Sequence, residues 1–384
     1  MKAILDLFDF YAKCMFLIAV LSRVAFATLA VMISLKTENG FLVSPFVEIR
    51  FGDYPFYSSH ISENFASIKD PFLFFYQGGS IESWLERTLV PGPLFPWLLN
   101  VTRYPTQPVV LASAYLLTSA FLVFGWVLYY RARKVPTWGQ LALIAFPLLL
   151  WYSIVLSTEL PMSIALFIFF CGALATPQRP CWGCFYAFAG FILMLLIRPN
   201  ALSLFPAMLL LLFFNRKLIP KWYNAVLIIL STFSFLYCAI YYAPYFLVVQ
   251  ESGQVLSYWG LFPQDYYDGL FPNLPPLFDQ VLSNGALILS KLIYASGLRP
   301  SYSDVHAIFV FMRGMGGMLI LPGMFYCIYR GSWLERILLL CFLFPLLITV
   351  AQERYLLPIA PLLLLYGGIF WKDLYLLIRK RFGS

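Results

Sequence analysis

The sequence predicts an all-α polytopic membrane protein of about ten transmembrane helices, with both termini in the cytoplasm. Three observations carry this expectation. Hydrophobic residues make up 61% of the 384 and charged residues only 11%, against roughly 25% charged in a soluble globular chain. The apolar residues fall in repeated runs long enough to enter a bilayer. Basic residues cluster at the ends of alternate runs. Together these predict a single integral membrane domain, residues 1–384, with lipid as the solvent for most of its surface.

The runs lie at 14–35, 107–130, 138–156, 160–176, 182–197, 201–215, 222–243, 305–328, 335–351 and 355–371. The first continues past Ala25-Phe26-Ala27, so it reads as a retained anchor rather than a cleaved signal. Connections on one side carry fifteen basic residues against four acids, and the other side carries ten against fourteen. Short basic loops such as Tyr130-Arg131-Ala132-Arg133-Lys134 mark the cytoplasmic face. The formal charge of +8 therefore reports topology, not a nucleic-acid partner.

Two long connections, 36–106 and 244–304, fall on the outer side. In 56–69, Tyr57, Ile61, Phe65 and Ile68 recur at helical spacing, which predicts an amphipathic interfacial helix. A second is expected within 80–90, where Ser83-Trp84-Leu85-Glu86 fits a capping box. Pro91-Gly92-Pro93-Leu94-Phe95-Pro96-Trp97 then turns the chain back toward the membrane. Tyr258, Trp259, Phe262, Tyr266 and Tyr267 give the second loop an interfacial, aromatic character.

Seven cysteines fall in or beside the spans, so no disulfide framework is expected for the loops. Cys181-Trp182-Gly183-Cys184 has metal or redox spacing without a second pair or a nearby His, and reads as structural. Ser-Trp-Leu-Glu-Arg occurs at 83–87 and 332–336 with unrelated flanks and reads as coincidence. No inverted repeat is visible, which weakens a transporter reading.

Three span pairs meet at very short outer turns: Ser157-Thr158-Glu159, Arg198-Pro199-Asn200 and Gln352-Glu353-Arg354. The arms around the last two hold only about 14–17 apolar residues, which cover about 21–25 Å of a roughly 30 Å hydrocarbon core. Glu159, Arg198, Glu353 and Arg354 are therefore expected to sit recessed, at the floor of an outward-facing cavity. Charges at that depth need water, a partner or a ligand. For Arg23 and Arg313, within spans, structural pairing is favoured and a functional role stays open.

The order of these features resembles the GT-C superfamily of membrane glycosyltransferases, which includes the protein O-mannosyltransferases and the lipid A aminoarabinose transferases. The resemblance rests on Phe51-Gly52-Asp53-Tyr54-Pro55-Phe56-Tyr57 before the first interfacial helix, the proline-rich re-entry at 92–97, Arg198-Pro199-Asn200, and Glu353-Arg354-Tyr355-Leu356-Leu357-Pro358-Ile359-Ala360-Pro361. It covers nearly the whole chain as an arrangement, and Arg-Tyr-x-x-Pro-x-x-Pro is its most specific motif. The Asp-Glu pair frequent in the family's first loop is here Asp53-Tyr54, and the soluble C-terminal domain of some members is not expected.

The resemblance implies transfer of a sugar from a polyprenyl-phosphate-linked donor to a glycan, lipid or protein acceptor on the extracytoplasmic face. The protein would then be a multi-pass plasma-membrane enzyme, of the inner membrane in a bacterium. Such transfer needs a base for the acceptor hydroxyl, and because a phosphate already leaves well, no second carboxylic acid is required. Asp53 matches the family's loop carboxylate and is the candidate base, though it also suits the cap of the helix that follows. Arg198 and Arg354, with Tyr355 of the terminal motif, are the candidates for the donor site, where guanidinium groups stabilise a departing phosphate. Lys291 and Arg299 are further cations for it, and Glu159 is placed to orient an arginine. No cofactor is expected. A metal held by Asp53, His60 and Glu63 can be drawn but is disfavoured. Two alternatives remain open: a flippase or transporter of lipid-linked sugars, and a polysaccharide polymerase or ligase.

Asp53→Asn separates base from cap. Asn caps about as well as Asp but cannot take the proton. Thermal stability should survive, while sugar transfer in proteoliposomes falls by roughly two to four orders of magnitude. Near-normal turnover would remove Asp53 from the chemistry.

Overall fold

The computed structural model describes residues 10–34, 77–85, 92–101, 108–153, 157–251, 270–298, 307–348 and 353–382. All regular structure among them is helical. In chain order the helices are α1 (Phe10–Ser34), α2 (Ile81–Leu85), α3 (Leu94–Val101), α4 (Pro108–Ala132), α5 (Thr137–Ile144), α6 (Pro147–Trp151), α7 (Glu159–Ala175), α8 (Pro180–Ile197), α9 (Phe205–Phe214), α10 (Lys221–Glu251), α11 (Pro276–Ala295), α12 (Ala307–Arg330), α13 (Trp333–Ile348) and α14 (Ala360–Phe382). Two 3₁₀ segments, Pro199–Leu204 and Glu353–Ile359, lead into α9 and α14. Among the described residues five helical stretches are long and apolar enough to cross a membrane: Phe10–Leu29, Ala112–Ala132, Pro180–Ile197, Lys221–Pro244 and Tyr355–Arg381.

Helix is present at each of the ten apolar runs, with departures that trace to proline. The run 138–156 breaks into α5 and α6 at Pro147, whose ring and missing N–H stop a helix from continuing through it. The runs 201–215 and 355–371 begin as 3₁₀ turns beside Pro199 and Pro358 rather than as regular α-helix. Helix α10 continues through Pro244 to Glu251, beyond the expected end at 243. The second loop holds the 20-residue α11, which the reading of that loop lacked. The helix expected in 80–90 starts at Ile81, with Ser80 Oγ accepting the Ser83 N–H at 3.1 Å, so Ser80 and not Ser83 is its cap. The interfacial helix expected at 56–69 lies outside the described residues.

Helices approach closely where glycine permits. In the α7–α8 hairpin, a Cβ on Gly172 would stand 2.3 Å from Ala187 N, and one on Gly190 2.5 Å from Phe169 N. Helices α12 and α14 run in parallel and cross at Gly323 and Gly367, where a Cβ would lie 2.1 Å from the Leu363 and Leu319 carbonyl oxygens respectively. Small residues let backbones meet in bundles where lipid removes the hydrophobic drive to associate.

Prolines within the bundle free carbonyls, and side chains from other helices take them up. Pro345 cannot donate to the Cys341 carbonyl, and Ser203 Oγ does so at 2.6 Å. Pro322 deprives Met318, whose oxygen accepts from Trp371 Nε1 at 2.8 Å. Pro199 deprives Leu195, which accepts from Tyr242 Oη at 2.7 Å. At the α5–α6 break, fully buried Arg23 donates from Nη1 to the Ile144 oxygen at 3.0 Å and from Nε to Ser119 Oγ at 3.4 Å. Arg23 thus ties α1, α4 and α5 together, the structural pairing favoured from the sequence.

The loops rich in basic residues gather at one end of the bundle. There Glu335, 1% exposed, accepts from Tyr129 Oη at 2.7 Å, Tyr366 Oη at 2.9 Å and the Ser332 N–H at 2.7 Å, with Arg133 Nη2 3.6 Å away. The Glu335 N–H returns to Ser332 Oγ at 3.4 Å. The second Ser-Trp-Leu-Glu-Arg therefore forms a capping box.

Gly367 and its neighbour Gly368 give a paired test. A Cβ on Gly368 meets nothing within 4 Å. Gly367→Ala should destabilise by about 1–3 kcal/mol through overpacking, whereas Gly368→Ala should be neutral or slightly stabilising, since Ala favours helix over Gly. Thermal unfolding in detergent reads both, and equal midpoints would refute the close crossing.

Candidate functional site

At the opposite end from the basic loops, three interrupted segments converge. Glu159 is the first residue of α7, where the positive end of the helix favours a carboxylate. Arg198 follows α8 and has extended backbone, φ −148° and ψ 146°, because the ring of Pro199 excludes the helical conformation from the residue before it. Tyr355 lies in the 3₁₀ segment Glu353–Ile359 that leads into α14.

These three side chains meet. Arg198 Nη1 is 2.5 Å from Glu159 Oε1, an ion pair in which Glu159 is 1% and Arg198 15% exposed. The Arg198 guanidinium carbon stands 4.7 Å from the centroid of the Tyr355 ring. They border a small recess of about 20 Å³, lined also by Asn200 and by an apolar wall that includes Met162, Phe342 and Leu346.

The segment between α1 and α4 returns to this place. The Gly92 N–H donates to the Ile197 oxygen at 3.0 Å, one residue before Arg198. A Cβ at position 92 would lie 2.1 Å from Tyr242 Oη and 2.3 Å from the Leu196 oxygen, so only glycine fits between the two prolines of that turn. The proline-rich re-entry thus docks on the end of α8 that carries Arg198.

Lys291 is at the same end. It is buried on α11, and its Nζ donates to the Leu347 oxygen at 3.1 Å, in the last turn of α13 and next to Leu346 of the recess wall. Burial lowers its ammonium to about 8. Ser157 and Thr158, immediately before Glu159, are also buried, and their hydroxyls have no hydrogen-bond partner among the described residues. The Ser157 carbonyl accepts from Tyr115 Oη at 2.7 Å.

Glu159, Arg198 and Tyr355 of the candidate residues therefore come together, with Lys291 close by. Asp53, His60, Glu63 and Arg299 lie outside the described residues, as do the side chains of Arg313, Glu353 and Arg354. Among the described residues no group of three or more His, Cys, Asp or Glu is placed to hold a metal ion. The sequence reading missed Asn200 and the wall from α13. It also missed that Lys291 is helical, although Ser283, Leu287, Ser290, Lys291 and Tyr294 recur at helical spacing and form the buried face of α11.

The ion pair makes an asymmetric prediction. Arg198→Gln leaves a carboxylate that is 1% exposed, and Glu159→Gln leaves a guanidinium that is 15% exposed. Removing one partner of a buried pair costs roughly 3–5 kcal/mol, so Arg198→Gln should lower the unfolding temperature more than Glu159→Gln. The double variant should cost less than the sum. Strict additivity would refute the pairing.

No protein-family model matches the chain, and neither a curated protein nor a solved structure matches it.

Proposed function

We propose that the chain is a membrane glycosyltransferase of the GT-C kind. It moves a sugar from a polyprenyl-phosphate-linked donor to an acceptor on the extracytoplasmic face. The observation that carries this reading is the convergence of the Glu159–Arg198 pair, Tyr355 and the Gly92 turn on one recess, away from the basic loops. A transferase that reads lipid-linked sugars needs a polar recess at the membrane surface, reached from both the lipid and the outer loops. In this reading ten spans place both ends in the cytoplasm. Its support is that Trp138, Trp182, Trp222 and Trp333, all exposed, stand at helix starts beside Lys134, Arg179, Lys221 and Arg330, as interfacial aromatics and inner-face cations do.

The chemistry follows from the residue types. Asp53 takes the acceptor hydroxyl proton as that oxygen attacks the anomeric carbon, and the bond to the lipid phosphate breaks. Arg354 and Lys291 stabilise the charge gathering on the phosphate, in surroundings too dry for water to do so. Arg198 and Tyr355 complete the donor site, and Glu159 orients Arg198.

The test is covalent product. Proteoliposomes holding the full chain, supplied with a lipid extract rich in polyprenyl-phosphate sugars, should form a new glycoconjugate. Arg354→Ala should weaken donor binding by about 10–100-fold, the worth of a charge-assisted hydrogen bond. Movement of the lipid headgroup across the bilayer without product would replace this reading by the flippase alternative.

A further inference from the structure

Helix α11 has its two sides reversed for a helix in water. At 3.6 residues per turn, Leu277, Phe278, Val281, Leu282, Ile288 and Leu289 fall on one side, and each is 41–69% exposed. Asp279, Gln280, Ser283, Asn284, Ser290 and Lys291 fall on the other, where Ser283, Ser290 and Lys291 are buried. A surface helix of a soluble protein buries its apolar stripe and turns its polar side to solvent. The reverse is stable where the solvent is hydrocarbon.

The neighbours of α11 give its depth. Lys291 Nζ reaches the Leu347 oxygen, and Leu347 is fourteen residues after Trp333 at the basic end of α13, about 21 Å of helix rise. A Cβ on Gly317 would stand 2.5 Å from Leu298 Cγ and 3.0 Å from the Ser296 oxygen. Gly317 is thirteen residues before Arg330 at the basic end of α12, about 20 Å of rise. Both heights fall short of the roughly 30 Å of a hydrocarbon core, and helix tilt only lowers them. Leu340 and Phe344, below Leu347 on the same side of α13, are more than half exposed. The apolar flank of α13 thus runs on into that of α11.

The end of α11 is finished for such a depth. Gly297, at φ 94°, takes the left-handed backbone that stops a helix. The Ser296 N–H donates to the Leu292 oxygen at 3.0 Å and the Gly297 N–H to the Tyr294 oxygen at 3.1 Å. Ser296 Oγ, on a residue 1% exposed, donates to the Ile293 oxygen at 2.7 Å. These terminal carbonyls are satisfied without solvent.

We propose that α11 is a re-entrant membrane helix, lying obliquely in the leaflet far from the basic loops, with its apolar side against lipid acyl chains. Its polar side closes the bundle around Lys291. The stripe runs most of the helix's length, so α11 lies along the leaflet instead of standing out of it. Helix α12 begins at Ala307, on the far side of Gly317 from the basic end, so the chain re-emerges where it entered and the number of crossings is unchanged. The inference does not depend on the reaction proposed above.

Two measurements on the full chain in phospholipid vesicles test it. p-Benzoylphenylalanine introduced at Leu289, and separately at Leu282, should on irradiation capture an acyl chain, read by mass spectrometry as a lipid attached to the α11 peptide. Hydroxyl-radical footprinting of the unsubstituted chain should leave Phe278 unoxidised, although the fold exposes it, because water does not reach it. The second measurement decides alone if neither labelled variant folds. Oxidation of Phe278, folded labelled variants that capture no lipid, or chain-to-chain adducts in place of lipid adducts would each overturn the proposal, the last by assigning the stripe to a second copy of the chain. Neither readout requires sugar transfer, so its failure and that of the transferase reading are separate.

Discussion

A carbonyl or a charge inside an apolar bundle has no water to turn to, and the arrangement of this protein follows from meeting that demand. Prolines repeatedly interrupt its helices, and each interruption frees a backbone oxygen. Ser203, Tyr242 and Trp371 supply the missing donors for Cys341, Leu195 and Met318, each from a different helix. Arg23 does so for Ile144 with a guanidinium in place of a neutral group. A proline in one helix thereby specifies a polar side chain in another, and these pairings cross-link the bundle more specifically than apolar contact does.

The same interruptions build the recess. Pro199 sets Arg198 in extended backbone so that it turns toward Glu159 and Tyr355 instead of continuing around α8. Pro345 opens α13 where Ser203 grips it, next to the wall formed by Phe342 and Leu346. Lys291 holds the end of α13 from a further helix. The Gly92 turn closes on Ile197, the neighbour of Arg198. The polar site is therefore the meeting point of helix ends, where backbone departs from regular geometry and side chains can converge.

The two ends of the bundle use charge differently. At the basic end Glu335 is surrounded by two tyrosine hydroxyls, a backbone N–H and Arg133, a network that fastens α4, α13 and α14. At the other end the Glu159–Arg198 pair borders a small recess. One acid holds helices together, and the other pairs with an arginine at the edge of a small recess.

Much of this was legible in the sequence. Apolar run length located the helices, because it is a local property of the chain. The short turns at 159 and 198 singled out two of the residues that meet, while the side chain at 354 lies outside the described residues. The sequence alone could not say that Glu159 pairs with Arg198 across 39 positions, nor that Tyr355 lies against the same guanidinium. Nor did it separate the two copies of Ser-Trp-Leu-Glu-Arg, of which only the one at 332–336 begins its helix with the serine. Which hydroxyl meets which freed carbonyl, and which acid neutralises which arginine, depends on helix rotation and crossing. Those are decided by close packing at Gly172, Gly190, Gly323 and Gly367, over contacts distant in the chain, and only the tertiary structure contains them.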